Sequence, residues 1–115
     1  MMISKPLVAA STKPLVLAIL NNGESYGYEI IQHVRDISGG RLEWSEPMLY
    51  PFLKRMERDG LVRSTWRFTE TKRLRKYYRL TEKGLAELER EKAQWFLVDR
   101  IYRRMLAAAP GVTES

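Results

Sequence analysis

The sequence predicts a mainly α-helical protein with one small β-hairpin and a single long helix at its C-terminal end. Three observations carry this prediction. Residues 15–20 are apolar nearly all round, and apolar residues recur at helical spacing through 30–37 and 49–56. Two β-prone runs, 61–67 and 76–80, flank a polar, basic connection, the pattern of a hairpin. From Thr81 onward a 27-residue stretch keeps a helical pattern, closed by Pro110-Gly111.

Residues 1–12 lack periodicity and read as a flexible arm or an irregular helix start. Thr12 can cap a first helix with Pro14 in its first turn. Leu15, Val16, Leu17, Ala18, Ile19 and Leu20 are apolar nearly all round, so that helix should be buried, and Asn21-Asn22-Gly23 should end it. Ser25 can cap a second helix whose apolar face is Ile30, Ile31, Val34 and Ile37, stopped by Ser38-Gly39-Gly40. Residues 41–44 are short and can pair as an edge strand. Ser45 reads as the N-cap of a third helix with Glu46 and Pro47 in its first turn. Leu49, Leu53 and Met56 form its inward stripe, and Asp59-Gly60 closes it. Pro51 falls inside this helix, near enough to its start for the missing N–H to cost little. Thr81 caps the last helix, which is roughly 40 Å long at 1.5 Å per residue. The expected division is 1–80 as one domain, 81–109 as a helix for association and 110–115 as a flexible tail.

The chain has 115 residues, enough for one domain with a limited core. It has no cysteine, which excludes disulfides and thiolate metal sites. The longest clean apolar run, residues 14–20, is far too short to span a membrane, and residues 5–10 are too weakly apolar for a signal peptide. A cytoplasmic location is expected. His33 is the only histidine. With no second ligand in sight it predicts no metal site, and no cofactor motif is present. No nucleophile motif, Gly-rich phosphate loop or carboxylate pair argues for catalysis, so an enzyme is not expected.

The net charge is +6, and its location is more informative than its size. Residues 54–79 carry ten Lys or Arg against Glu57, Asp59 and Glu70, so the rest of the chain is close to neutral. Charge concentrated in this way suits a polyanion partner, and equally a solvated basic surface. The element order weighs on this choice. Three helices, a basic hairpin and a long helix make a winged helix-turn-helix, with residues 38–45 longer than a minimal turn. The third helix would enter the major groove of double-stranded DNA with Ser45 at its start and Tyr50, Lys54 and Arg58 at four-residue spacing on its outer face. The hairpin tip, with Arg67, Lys72, Arg73 and Arg75, would touch backbone or minor groove. Tyr50 can equally be a packing aromatic, and Lys54 and Arg58 a solvated face.

Specific motifs narrow the reading. Tyr26-Gly27-Tyr28-Glu29-Ile30-Ile31, Leu49-Tyr50-Pro51 and the run from Leu53 to Val62 resemble the PadR family of transcriptional regulators, as does the run from Arg75 to Gly84. The resemblance covers residues 14 to about 106. It implies a homodimer that binds a two-fold symmetric operator, represses nearby genes and releases DNA when a small molecule binds. By the same resemblance Tyr50 and Lys54 fall at DNA-contacting positions. The chain departs from the family at Pro47-Met48, where a small residue and a threonine are usual, so operator sequence does not carry over.

The long helix needs a partner. Leu85, Leu88, Lys92, Trp95, Asp99, Tyr102 and Leu106 follow alternating three- and four-residue steps, the spacing of a coiled-coil seam, broadened by Val98, Ile101 and Met105. Dimerisation is therefore expected, with recognition helices about 34 Å apart. Trp95-Phe96-Leu97-Val98-Asp99 resembles a segment of the short-tailed PadR members, a lactococcal multidrug-binding regulator among them. That resemblance implies a pore at the dimer centre where Trp95, with Lys92, Asp99 and Ala18 around it, takes a planar aromatic effector. Trp95 can equally be a plain dimer-core aromatic, with Lys92 narrowing the pore or repelling cations. The alternatives to a ligand-relieved repressor are a ligand-independent DNA-binding or protein-interaction module and a drug-sequestering protein.

Overall fold

A computed structural model describes residues 1–108. The expected tail, 110–115, and the helix stop at Pro110-Gly111 lie outside the described residues. The elements are α1 (Lys5–Asn21), β1 (Ser25–Tyr26), α2 (Gly27–Ile37), α3 (Glu46–Arg58), β2 (Val62–Phe68), β3 (Leu74–Leu80) and α4 (Glu82–Ala107). This is a mainly helical winged helix-turn-helix with a small antiparallel sheet and a long C-terminal helix.

The N-terminal expectation needs correction. Helix α1 starts at Lys5, seven residues before Thr12, with Ser4 at the cap position and a proline in the first turn. Thr12 is buried inside the helix, and its hydroxyl donates to the Val8 carbonyl at 2.7 Å instead of capping. Ile3 and Val8 pack against the core and hold the segment in place. Pro14 sits mid-helix. The bond it removes would end on Ala10, which is exposed, so water can reach the freed carbonyl.

Ser25 is likewise not a cap. It pairs with Tyr78 in a two-residue strand, and its hydroxyl donates to Glu29 Oε1 at 2.8 Å. Tyr26 occupies the N-cap position of α2 without a side-chain bond. The sheet order is β1-β3-β2, antiparallel throughout. Residues 41–44 form no strand, and β1 is the second neighbour of β3. Their backbone bonds go elsewhere: Arg41 O accepts from Ile3 N–H, and Leu42 N–H donates to Ser38 Oγ at 3.0 Å. Leu42 and Trp44 from this loop are buried in the core. Ile37, expected on the inner face of α2, is 75% exposed; it is the last residue of the helix, past the edge of the core.

The core joins Val16, Leu17 and Leu20 of α1, Ile30 and Val34 of α2, Leu49, Leu53 and Met56 of α3, Val62 and Tyr78 of the sheet and Leu88 of α4. Asp59 is the C-cap of α3, and Gly60 takes φ 79°, the left-handed conformation that lets the chain turn directly into β2. Thr81 caps α4 by accepting from Gly84 N–H at 3.0 Å, and its own hydroxyl donates to Gly60 O at 2.6 Å. One threonine thus ties the end of α3 to the start of α4.

Candidate nucleic-acid interface

The rotation of α3 is fixed by burial. Leu49, Leu53 and Met56 are almost inaccessible to water, so the residues one position further on, Tyr50 and Lys54, with Arg58 a turn beyond, must face out. Ser45 caps the helix by accepting from Met48 N–H at 3.4 Å. Lys54 is exposed and in no ion pair among the described residues. Arg58 is exposed and only loosely paired with the neighbouring Asp59, at 3.7 Å. The two readings of Tyr50 meet in one side chain: its ring lies over Gly27, yet the residue stays 38% exposed. Burial, and secondarily Glu46, pushes its phenol upward from its ordinary value. The hydroxyl therefore remains a neutral donor well above physiological pH.

The wing differs in detail from its sequence reading. The ladder runs to Phe68↔Leu74, so Arg67 and Arg75 pair across the strands and do not belong to the tip. Each is engaged by the protein itself. Arg67 forms an ion pair with Glu24 and stacks on Tyr77, 4.2 Å from the ring centre. Arg75 lies half-buried over Tyr26 at 5.3 Å, and its Nε has no partner among the described residues. The turn cations are Lys72 and Arg73, both exposed and in no ion pair among the described residues. Lys72 has φ 62°, a left-handed position unusual for a lysine, which pins the turn at that residue.

Sequence reasoning missed the links between α3 and the wing. Glu57 Oε2 accepts from Ser64 N–H at 3.2 Å and from Ser64 Oγ at 2.5 Å, and Lys76 lies 3.6 Å from Oε1. The Ser64 bond, helped by Lys76, holds this carboxyl below the usual range. Glu57 thus braces the wing against α3. The only sequence signal was an acid inside an otherwise basic run. Gly27 was missed as well, although a glycine opening a helix hints at a close approach. A cleft of about 260 Å3 separates Tyr50 and Gly27 from Trp66, Leu74 and Lys76.

Helix α4 extends away from this body, and beyond Leu88 none of its described residues is buried. Its first half is anchored to α1 by Lys13, whose Nζ donates to Glu87 at 2.6 Å and lies 3.3 Å from Glu91. Leu88 is taken up by the protomer's own core. Leu85, Val98, Tyr102, Met105 and Leu106 are exposed, as are Phe96, Leu97 and Ile101. Trp95 is half-buried. Lys92 reaches back to Glu89 at 2.9 Å, and Asp99 is held by Arg103 at 3.0 Å. Ala18 is exposed beside a groove between α1 and α2 that Leu15 and His33 also line. Among the described residues no group of His, Asp or Glu could hold a metal ion, and no helix is long and apolar enough to cross a membrane.

Residues 16–90 match the family described as the transcriptional regulator PadR-like family, a family of regulators and not of enzymes. Among solved structures, the chain is similar to a PadR-like transcriptional regulator from Bacillus cereus, with a TM-score of 0.82, 28% identity and coverage of 91% of this chain and 100% of that one. A PadR family transcription regulator from Clostridium difficile is 33% identical, with a TM-score of 0.73 and coverage of 84% and 99%. The chain is also 29% identical over 96 residues to the transcriptional regulator YqjI of Escherichia coli, covering 83% of this chain and 44% of that longer protein.

Proposed function

Because this chain belongs to the PadR-like family of transcriptional regulators, whose members bind DNA, we propose that it is a dimeric, operator-specific repressor relieved by a small aromatic effector. The observation that carries the dimer is the outer half of α4. It presents Val98, Ile101, Tyr102, Met105 and Leu106 to solvent with nothing in the protomer to cover them. An apolar stripe of this length on one helix is what a second copy buries. Two-fold pairing through α4 would turn both α3 helices toward one duplex, with Ser45, Tyr50, Lys54 and Arg58 at the major groove. Lys72 and Arg73 would reach backbone or minor groove, while Arg67 and Arg75 would act by holding the wing in shape. The division of labour is thus 1–80 for DNA and α4 for association, and the protein would act where DNA is, in the cytoplasm of a bacterial cell.

The effector reading rests on Trp95 and the resemblance to the short-tailed, multidrug-binding members. Lys92 is paired with Glu89 on the exposed side of α4, which partly offsets its charge near Trp95. Asp99 would favour a planar cation over an anion.

Sedimentation of the protein alone and titrated with duplex DNA tests the assembly. The expected result is a dimer that binds as two chains per site and becomes monomeric when Tyr102 and Met105 are both replaced by Glu. A monomer that binds one chain per site would overturn it. For the effector, a planar aromatic cation should quench the fluorescence of the wild type and not of Trp95→Ala.

A further inference from the structure

Phe68 and Leu74 form the last cross-strand pair of the wing and are 71% and 53% exposed. Trp66, two residues earlier in β2, is 61% exposed. Strand alternation places all three on the face that also carries Val62, Ser64 and Tyr78. That face looks toward α3: Ser64 is bonded there by Glu57, and Val62 and Tyr78 are buried beneath it. Adjacent on one exposed face, the three make a contiguous apolar patch, the kind of surface that marks an interaction site.

The end is also closed by hydrogen bonds of its own. Thr69 N–H donates to Arg73 O at 2.8 Å, Lys72 N–H to Thr69 O at 2.9 Å and Arg73 N–H to Thr69 Oγ1 at 3.2 Å. Its surroundings are cationic. Between residues 67 and 76 there are five Lys or Arg and one acid, Glu70. A second copy of this chain would bring like charges together at this surface, whereas duplex DNA complements them.

We propose that Phe68 and Leu74 form an apolar wedge that enters a base step of the minor groove and kinks the duplex, with Lys72 and Arg73 on the flanking phosphates. The proposal rests on the DNA-binding reading above and adds a source of sequence preference. Pyrimidine–purine steps such as TA unstack most easily, so the wing selects them without hydrogen-bonding a base.

The test is bending and affinity on 30-base-pair duplexes labelled at both ends for energy transfer. One duplex carries TA steps, the other A-tracts, at low salt where binding needs no operator. The wild type should bend the TA duplex and prefer it. The double variant Phe68→Ser/Leu74→Ser, checked by circular dichroism for an intact fold, should lose the bend. Its affinity should fall by about tenfold or more, the scale of one lost base contact, while its salt slope stays unchanged. Equal bending and affinity in the double variant would overturn the wedge and leave DNA binding standing. So would wing-dependent self-association of the wild type that the double variant abolishes, with no change on DNA. Absence of any duplex binding by the wild type would overturn both.

Discussion

Tyr50 lies across Gly27 so closely that the glycine has no room for a side chain. A methyl group there would sit 2.8 Å from Cζ of the ring and 2.9 Å from its hydroxyl oxygen. The opening residue of α2 thereby sets the position of a side chain on the outer face of α3, joining the two helices of the helix-turn-helix at the surface proposed for DNA.

Gly27→Ala should therefore separate stability from binding. Alanine favours a helix over glycine by about 0.5–1 kcal/mol, and the Tyr50 ring is free to swing outward, so the fold should survive. Duplex affinity should fall by up to about tenfold, the worth of one misplaced hydrogen-bonding contact. Thermal melting and a binding isotherm on the same preparation check both halves. An unfolded variant, or one with wild-type affinity, would contradict the role given to the pair.

Lys54 and Arg67 should behave oppositely. Lys54→Ala should weaken binding to all duplexes and reduce the slope of log affinity against log salt by about one. Arg67→Ala should leave that slope nearly unchanged, because its charge is already directed to Glu24 and its plane to Tyr77. Its effect should appear as a loosened wing, read by amide hydrogen exchange in β2 and β3. Equal slopes for the two variants would contradict the assignment.

Glu57 predicts an acid limb. Its carboxyl is held below the ordinary value of 4.5 by Ser64, so its brace contributes stability above that pH and loses it as pH falls through the lowered value. Glu57→Gln removes this titration. Melting temperature should then fall less steeply below about pH 4.5 in the variant than in the wild type. The residual drop belongs to Glu87, which Lys13 and Arg90 lower in the same direction. Parallel pH profiles for the two proteins would show that the brace carries no linkage.

Gly84→Ala should destabilise the protein itself. A methyl group at Gly84 would collide with the Leu61 carbonyl and lie 3.1 Å from Leu80 Cδ2, and backbone cannot give way as a ring can. Overpacking of this kind costs about 1–3 kcal/mol, a melting-point loss of about 5 °C or more for a domain of this size. Differential scanning calorimetry measures it directly.

Much of this architecture could be read along the chain. The inward stripe of α3, the caps at Ser45 and Thr81 and the glycine stops all rest on local rules, and local rules suffice where one helix meets one core. Pro51 proved compatible with an unbroken α3, since the freed acceptor belongs to exposed Pro47. Propensity alone misplaces three features. Thr12 bonds one turn back to Val8 because α1 begins at Lys5, while the places of Ser25 and residues 41–44 are set by partners distant in sequence, the strand residue Tyr78 and the backbone of Ile3. The site follows the same pattern. Exposed positions such as Tyr50 and Lys54 come from helix periodicity, but the diversion of Arg67 to Glu24 and the brace from Glu57 to Ser64 depend on which strand faces which helix.

Sequence-specific DNA binding can be measured in one titration. The purified protein is titrated against duplex DNA from upstream of its own gene and against a scrambled duplex of equal length, at one physiological salt concentration. An operator-specific dimer should prefer the upstream duplex by about 10³ or more and saturate at two chains per site. Equal, steeply salt-dependent affinity for both duplexes would contradict it, leaving a basic surface that holds this DNA without reading it.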